Sequence, residues 1–406
     1  MGSHRDVLEG VRVVDFCWAG VGPMTTRHLA DFGAEVIKVE SMTRVEVCRR
    51  AGPHRSAPPD QDSSTQFGNY NSNKLSVSIN VKHPEGVELI KRLLRVADVV
   101  TDSFSGGVME RLGLGYPQLR QIKPDIIAAS LSLMGQSGPH SEYRGHGHIL
   151  QAMGGLNQLT GWPERQPFAP ALAFTDYWVP QLWATAIVGA LAHRQKTGQG
   201  QFLDCAGLEG AIHATGTAIL EFTANGTVRA RSGHRHPGYA PHGIYRCRGQ
   251  DAWCAIAVAS DEEWQSFCRA LGNPPWTQDE RFATCGGRAE NAAELDSRIT
   301  AWTQERSAPD AMRLLQQAGV AAGVAQTVRD LHDDPQLKHR GHFWEWPDPD
   351  FRKFTFEGPA FQLSKTPARL RRPSPKLGEH NSYVFLEVLG LADAEYADFI
   401  AQGVIN

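Results

Sequence analysis

The sequence predicts an α/β protein built on a doubly wound, mostly parallel sheet. Two patterns and one bulk property carry that expectation. Over residues 1–135, short β-branched runs alternate with amphipathic stretches, the rhythm of βαβ units. The intervening stretches place apolar residues at helical spacing, most clearly Val87, Ile90, Leu93 and Leu94 behind Pro84. The 406 residues are 41% hydrophobic and 21% charged with 40 glycines, the composition of a globular chain. That length exceeds the usual reach of one core, so two domains, or one with a large insertion, are expected.

In chain order the strands fall at 11–16, 35–39, 76–79, 98–100 and 126–130, with helices over 24–32, 84–96 and 108–122. Asp176 then stands ahead of Val179, Leu182, Trp183, Ala186, Ile187, Ala190 and Leu191, a helix too apolar for the surface, which runs to His193 and Arg194 before a turn at 195–201. Near residue 225 the character changes: Asn225-Gly226 and the polar run 232–238 read as a linker, after which a second domain begins. Within it, 243–246 and 253–258 flank Arg248-Gly249-Gln250 as a hairpin, followed by a helix over 262–271. Residues 347–377, rich in proline, phenylalanine and basic side chains, read as an extended return path, and 381–391 as a terminal helix.

Charge and cysteine content narrow the function. Forty-one basic against 44 acidic residues leave a net charge of -3, so no global field draws nucleic acid or an anionic membrane. The seven cysteines are scattered and form no CxxC pair, which fits a reducing, cytoplasmic setting. No run approaches the roughly 18 apolar residues of a membrane helix. The N-terminus lacks a signal-peptide pattern, since its first apolar run is short and holds Asp15.

Three constellations are candidate sites. Gly20-Val21-Gly22 follows the first strand, with Glu40 twenty residues after Gly20, an incomplete dinucleotide fingerprint. Thr25 fills the third glycine position and Pro23 interrupts the motif, so a strand-to-helix turn serving another ligand is favoured. The pairs His146/His148, His234/His236 and His339/His342 lack the spacing of a zinc frame, and no metal is expected. Asp176 either caps its helix or acts as a nucleophile whose charge the helix amides support.

The ordered motifs resemble those of the class III CoA-transferases, the family of formyl-CoA transferase and the carnitine CoA-transferases. They are Gly22-Pro23, the run 29–40, Asn71-Ser72-Asn73-Lys74, Lys82-His83-Pro84-Glu85-Gly86, the run 107–113, Thr197-Gly198-Gln199-Gly200-Gln201 and Leu377-Gly378-Glu379-His380-Asn381. The resemblance implies a Rossmann-like large domain made of 1–225 and 336–406, a smaller α+β domain over 226–335, and an interlocked, ring-like homodimer. It implies that Asp176 attacks an acyl-CoA to form a mixed anhydride and then an aspartyl-CoA thioester, from which a free carboxylic acid takes the CoA. Coenzyme A is a substrate there, and no permanently bound cofactor is needed. Carried over by position, the CoA contacts fall on Ala19, Gly20, Val21, Ile79, Lys82, Ser103, Phe104, Arg111 and Arg144, with His146 as a second catalytic candidate beside Asp176. Trp18, Trp162, Tyr177 and Trp178 are candidate walls of an acyl pocket.

The chain departs from the family pattern at several of these places. Ser103 stands for an asparagine, Ser41 for an arginine, and His146 and Gly147 for a tyrosine and an acid, while 232–236 replaces a glycine-rich shielding loop with bulkier side chains. His146 keeps a second function open, that of the related 2-methylacyl-CoA racemases, which pair a histidine with an aspartate to move an α-proton. A third is a CoA-binding subunit whose partner does the catalysis in a hetero-oligomer.

Overall fold

Consecutive residues of a strand point to opposite faces, so a sheet covered on both sides needs apolar residues in pairs. Val13/Val14, Val36/Ile37 and Val99/Val100 are such pairs. In the computed structural model, which describes residues 6–56, 58–169, 173–348 and 352–406, they lie at the centre of a six-stranded parallel sheet. Its strands are β1 (Arg12–Asp15), β2 (Glu35–Glu40), β3 (Leu75–Ser78), β4 (Val99–Asp102), β5 (Ile127–Ser132) and β6 (Phe202–Ala206), in the order β3-β2-β1-β4-β5-β6. One face buries Val14, Ile37 and Val100 against Leu89, Ile90, Leu93 and Leu94 of helix α2 (Pro84–Arg95). The other buries Val13, Val36 and Val99 against Leu29 of α1 (Val21–Asp31) and Val179, Trp183 and Ile187 of α4 (Phe174–Thr197). Between β5 and α4 lies α3 (Gly147–Met153).

Local signals set the helix ends. His83 accepts from the Glu85 N–H at the start of α2, Pro84 opens the helix, and Arg92 and Arg95 close it where the helix dipole favours cations. Gly198, at φ 73, ends α4 in the left-handed conformation that favours glycine. The helix expected over 108–122 is two short ones, Val108–Arg111 and Tyr116–Ile122. Gly113, at φ 71, breaks the first, and Pro117 restarts the second. β6 was not foreseen: it is an edge strand, exposed over its first residues and without a continuous apolar run. After it α5 (Gly207–His213) packs on α3 and α4.

The chain divides into two compact units. The second comprises Gln158–Phe168 and Arg229–Leu337, so a short piece of the N-terminal half joins it, with the Gly233 N–H donating to Gly161 O at 2.8 Å. In it β7 (His242–Arg246) and β8 (Trp253–Ala257) form the expected hairpin around Arg248-Gly249-Gln250, and β9 (Ala321–Val324) adds an antiparallel third strand. Helices α6 (Asp261–Ala270), α7 (Ala292–Gln304) and α8 (Ala308–Gln317) cover this sheet around Trp264, Phe267, Ile299 and Leu315. Arg288 is fully buried there, its guanidinium donating to Ala240 O at 2.6 Å and to Asp261 Oδ1 at 2.9 Å.

Residues Lys338–Asn406 return to the first unit. The extended path expected over 347–377 begins as a hairpin of β10 (Phe343–Asp348) and β11 (Arg352–Glu357). The terminal helix expected over 381–391 is present over 381–388, π-helical at 383–388; Gly390 at φ 69 ends it, and a further helix not foreseen, α9 (Asp393–Ala401), follows with Asp393 and Glu395 in its first turn. Phe385, Phe399, Val404 and Ile405 then complete the core beside β3. Among the described residues no helix is long and apolar enough to cross a membrane.

Candidate active site

The strand order reverses between β1 and β4, so the loops leaving these neighbours part at their carboxyl ends and open a crevice. A cavity of ≈ 370 Å³ occupies it. Its walls are the loop and helix start at 18–22, Ser103 and Ser105 after β4, the end of β5 at 131–133, the segment 143–147, Leu150, Asp176 and Trp183.

Buried charges fix the first wall. Asp15, wholly buried, accepts from Lys74 Nζ at 3.0 Å, Thr26 Oγ1 at 2.7 Å, Thr101 Oγ1 at 3.1 Å and the Cys17 N–H at 2.9 Å. Burial pushes its carboxyl upward, but Lys74, Lys38 and these hydrogen bonds outweigh burial and hold it at about 2. Lys38 donates to Cys17 O at 2.6 Å and pairs with Glu46 at 2.7 Å, and Glu46 Oε1 accepts the Ala19 N–H at 3.0 Å. The loop is thus clamped on both sides of Trp18, with Ala19 at φ 65, a conformation that side-chain-bearing residues adopt at a cost. Ser103 Oγ accepts the Trp18 N–H at 2.8 Å and donates to Trp18 O at 3.2 Å, which splices the β1 and β4 loops together.

Asp176 is not the cap of its helix. The N-cap of α4 is Ala173, with no side-chain cap bond, and Asp176 lies in the first turn, its N–H donating to Ala173 O at 2.8 Å. Pro180, four residues on, has no N–H for the Asp176 carbonyl. Two glycines bound the carboxylate. A Cβ on Gly147 would stand 2.3 Å from Asp176 Oδ1, and one on Gly20 3.5 Å from Oδ2. Gly147, where the family pattern has an acid, is therefore the only residue type that fits against this carboxylate. Asp176 Oδ1 has no hydrogen-bond partner among the described residues. Burial pushes the carboxyl up to about 6, against the pull of His146 and His148.

Of the expected site residues, Ala19, Gly20, Val21, Ser103, Arg144, His146 and Asp176 meet in this cavity. Phe104 adjoins it, its ring edge-on to Trp18 at 6.3 Å. Trp18 also lies beneath Arg44, whose Cζ is 5.0 Å from the ring centroid. The others stand apart. Ile79 is wholly buried in the sheet core, with its N–H donated to Glu40 O at 2.8 Å, so its side chain offers a ligand no surface. Lys82 is exposed on the turn before α2, and Arg111 is exposed beside Gly107. Tyr177 hydrogen-bonds Tyr70 at 3.0 Å, and Trp178 is exposed; neither lines the cavity. Trp162 and 232–236 belong to the second unit, where Trp162 meets His234 at 5.1 Å. No three His, Cys, Asp or Glu side chains converge as a metal site among the described residues.

Among the residues of the site that the sequence did not single out are Glu46, Ser132 and Trp183. Trp183 was legible, seven residues after Asp176 and so on the same helix face. Ser132 lay two residues beyond the strand expected to end at 130. Glu46 carried no local signal, because its partners Lys38 and Ala19 are joined to it only by the fold.

A family model described as CoA-transferase family III matches residues 8–381. The chain is 34% identical over 407 residues to a succinyl-CoA–D-citramalate CoA-transferase of Chloroflexus aurantiacus, covering 100% of both. It is 31% identical over 390 residues to a succinate–glutarate CoA-transferase of Agrobacterium fabrum, covering 96% of this chain and 97% of that one. Among solved structures, a CAIB/BAIF family protein from Brucella suis superposes with a TM-score of 0.86 at 32% identity, covering 95% of this chain and 100% of the other. The chain therefore belongs to CoA-transferase family III and is a CoA-transferase, an enzyme that passes coenzyme A between an acyl thioester and a carboxylic acid.

Proposed function

We propose that this protein exchanges coenzyme A between small dicarboxylic acids, with Asp176 as the covalent nucleophile. One observation carries the mechanism: an aspartate in the first turn of α4 caps nothing, and its carboxylate, with one oxygen unpartnered, belongs to a residue of the cavity wall. The names of both relatives point to dicarboxylic substrates, which supports that class here.

The carboxylate oxygen of Asp176 attacks the donor thioester carbonyl, the C–S bond breaks, and CoA leaves as thiolate from a mixed anhydride. The thiolate then attacks the aspartyl carbonyl, which expels the first acid as its carboxylate and leaves an aspartyl-CoA thioester. The acceptor carboxylate attacks that thioester, releases the thiolate and forms a second anhydride. Attack of the thiolate on its acyl carbonyl yields the new acyl-CoA and restores Asp176. Charge is conserved at each step. Gly20, Val21 and the start of α1 present backbone N–H groups to the ligand, the Ala19 N–H being held by Glu46. Arg144 at the cavity, with Lys82 and Arg111 outside it, offers cations for the CoA phosphates.

Incubation with paired acyl-CoAs and free acids, followed by mass spectrometry of the thioesters, tests the reaction. Hydroxylamine trapping of a hydroxamate at Asp176 tests the intermediate. A second function keeps one supporting observation, that His146 lines the same cavity as Asp176. Deuterium entering the α-position of a 2-methylacyl-CoA in heavy water, without acyl exchange, would establish the racemase in place of the transferase. Exchange only after a second polypeptide is added would establish the hetero-oligomeric subunit.

We further propose an interlocked homodimer. Phe174, Trp178, Leu182 and Val188 on α4, with Leu220 and Phe222 beyond α5, are large apolar side chains left exposed on one copy. Light scattering at the mass of a single chain would refute this. The seven cysteines are free thiols, in keeping with a reducing, cytoplasmic setting.

A further inference from the structure

Two side-chain oxygens among the residues lining the cavity are buried without a hydrogen-bond partner among the described residues: Asp176 Oδ1 and Ser132 Oγ. The proposed mechanism uses the first and leaves the second idle. Ser132 ends β5 at the cavity wall and is 3% exposed. A buried hydroxyl without a partner is costly and uncommon in native proteins. Two residues earlier the same strand shows the usual solution, where Ser130 Oγ donates to Asp102 Oδ2 at 2.7 Å. Leu131, Leu133, Leu150 and Trp183 line the same cavity and bring no acceptor side chain.

We propose that Ser132 is a specificity residue whose hydroxyl donates to the polar group that the acyl chain carries beyond its reacting carboxyl. Resting on the transferase function proposed above, this deepens it: Asp176 takes the thioester carbonyl, and Ser132 reads the rest of the chain. Ser132 ends β5 and Asp176 lies in the first turn of α4, and the hydroxyl and the carboxylate oxygen, each without a partner, form no hydrogen bond with one another. The two oxygens thus belong to different parts of the cavity wall, as the two ends of one short acyl chain require. A distal carboxylate or hydroxyl satisfies Ser132, while a plain alkyl chain leaves it unpaired.

The test compares succinyl-CoA with butyryl-CoA, thioesters of the same chain length that differ in the distal carboxylate. Exchange is measured as kcat/KM and binding by calorimetry, for the wild type and Ser132→Ala. The variant is expected to lose roughly tenfold on succinyl-CoA and to keep butyryl-CoA unchanged, so that the preference falls by the same factor. Equal losses on both thioesters, or no loss on either, overturn the proposal. Should Ser132→Ala fail to fold, Ser132→Thr and Ser132→Val decide, being alike in shape: Thr retains the succinyl preference and Val loses it, and a pair that behaves alike overturns the proposal. A wild type that binds both thioesters but exchanges neither refutes the dicarboxylate exchange proposed above, and the binding ratio still judges Ser132. One that binds neither overturns both.

Discussion

Asp15 and Asp176 are carboxylates of the same unit, at opposite ends of one design choice. Asp15, beneath the β1 loop, accepts four hydrogen bonds and faces two lysines, and its carboxyl is held at about 2. Asp176, at the cavity, has one oxygen with no partner, and burial leaves its carboxyl at about 6. Both are taken out of water, but only one is compensated. A fully paired buried carboxylate is inert and rigid; an under-paired one stays reactive and costs stability. The paired network also holds the Cys17 to Gly20 loop that borders the reactive one.

The largest expected effect removes the reactive member. Asp176→Asn keeps the shape and deletes the nucleophile, so CoA exchange should fall by on the order of 10⁴-fold or more. The folded protein should become more stable at neutral pH, because a raised folded pKa means that ionisation of Asp176 opposes folding. That stabilising contribution of the protonated form is complete below the unfolded value near 3.8 and is lost as pH rises through about 6. The gap in melting temperature between variant and wild type should therefore open between those values and then stay constant. Exchange by the wild type should rise with pH through about 6. A variant that melts below the wild type at pH 8 would contradict the contrast drawn between the two aspartates.

Breaking the compensated member should do the reverse. Lys74→Met leaves Asp15 buried with its nearest cation gone, and removing one partner of a buried pair typically costs about 3–5 kcal/mol. Urea denaturation should show that loss. For Asp15 the linkage has the opposite sign: its lowered pKa stabilises the fold above about 3.8, and that contribution is lost as pH falls through about 2. Acid unfolding of the wild type below pH 4 should thus be blunted in the variant, whose Asp15 gains less from ionising.

This contrast also explains what the sequence revealed. The motifs behind the family resemblance are mostly structural splices. Lys74 of 71–74 is the hub on Asp15, and Gly200 of 197–201 passes so close to the 125–126 backbone that a Cβ would stand 2.1 Å from Ile126 O. Asn381 of 377–381 accepts the Ser78 N–H at 2.9 Å and pins the chain end to β3. Such close approaches admit few residue types, which ties these residues to the fold. The parallel sheet was legible from paired β-branched residues, whereas edge strand β6 lacked that pattern. At the site, Asp176 showed itself by standing before an apolar helix. Gly147 looked like a missing acid, and only the 2.3 Å approach to Asp176 Oδ1 gives it a role. Ser132 and Glu46 were invisible because their meaning depends on partners, absent or present, that come from distant parts of the chain.

Gly147→Ala perturbs the reactive carboxylate without removing it. The added methyl would stand 2.3 Å from both Asp176 Oδ1 and Ala173 Cβ, so the carboxylate and the start of α4 must give way by about an ångström, and a misplacement of that size costs about 10²-fold in rate. The loss should appear in kcat, with acyl-CoA binding measured by calorimetry little changed. A weakened binding constant with normal kcat would mean that Gly147 serves the ligand and not the carboxylate.

The smallest effect should come from Glu46→Gln, which lies where the two regions join. Glu46 accepts the Ala19 N–H with one oxygen and pairs with Lys38 through the other. Glutamine offers one acceptor and one donor, so it can serve Ala19 only by turning its amide N–H₂ toward the Lys38 ammonium, or serve Lys38 only by abandoning Ala19. Either way the left-handed Ala19 loses part of its restraint. One hydrogen bond of this kind is worth about 1 kcal/mol, so kcat/KM should fall roughly five- to tenfold. The fall should lie mainly in KM, because the loop meets the ligand and Asp176 is held from other elements. A loss confined to kcat would show that the paired network reaches the nucleophile itself, and the separation between the two aspartates would have to be abandoned.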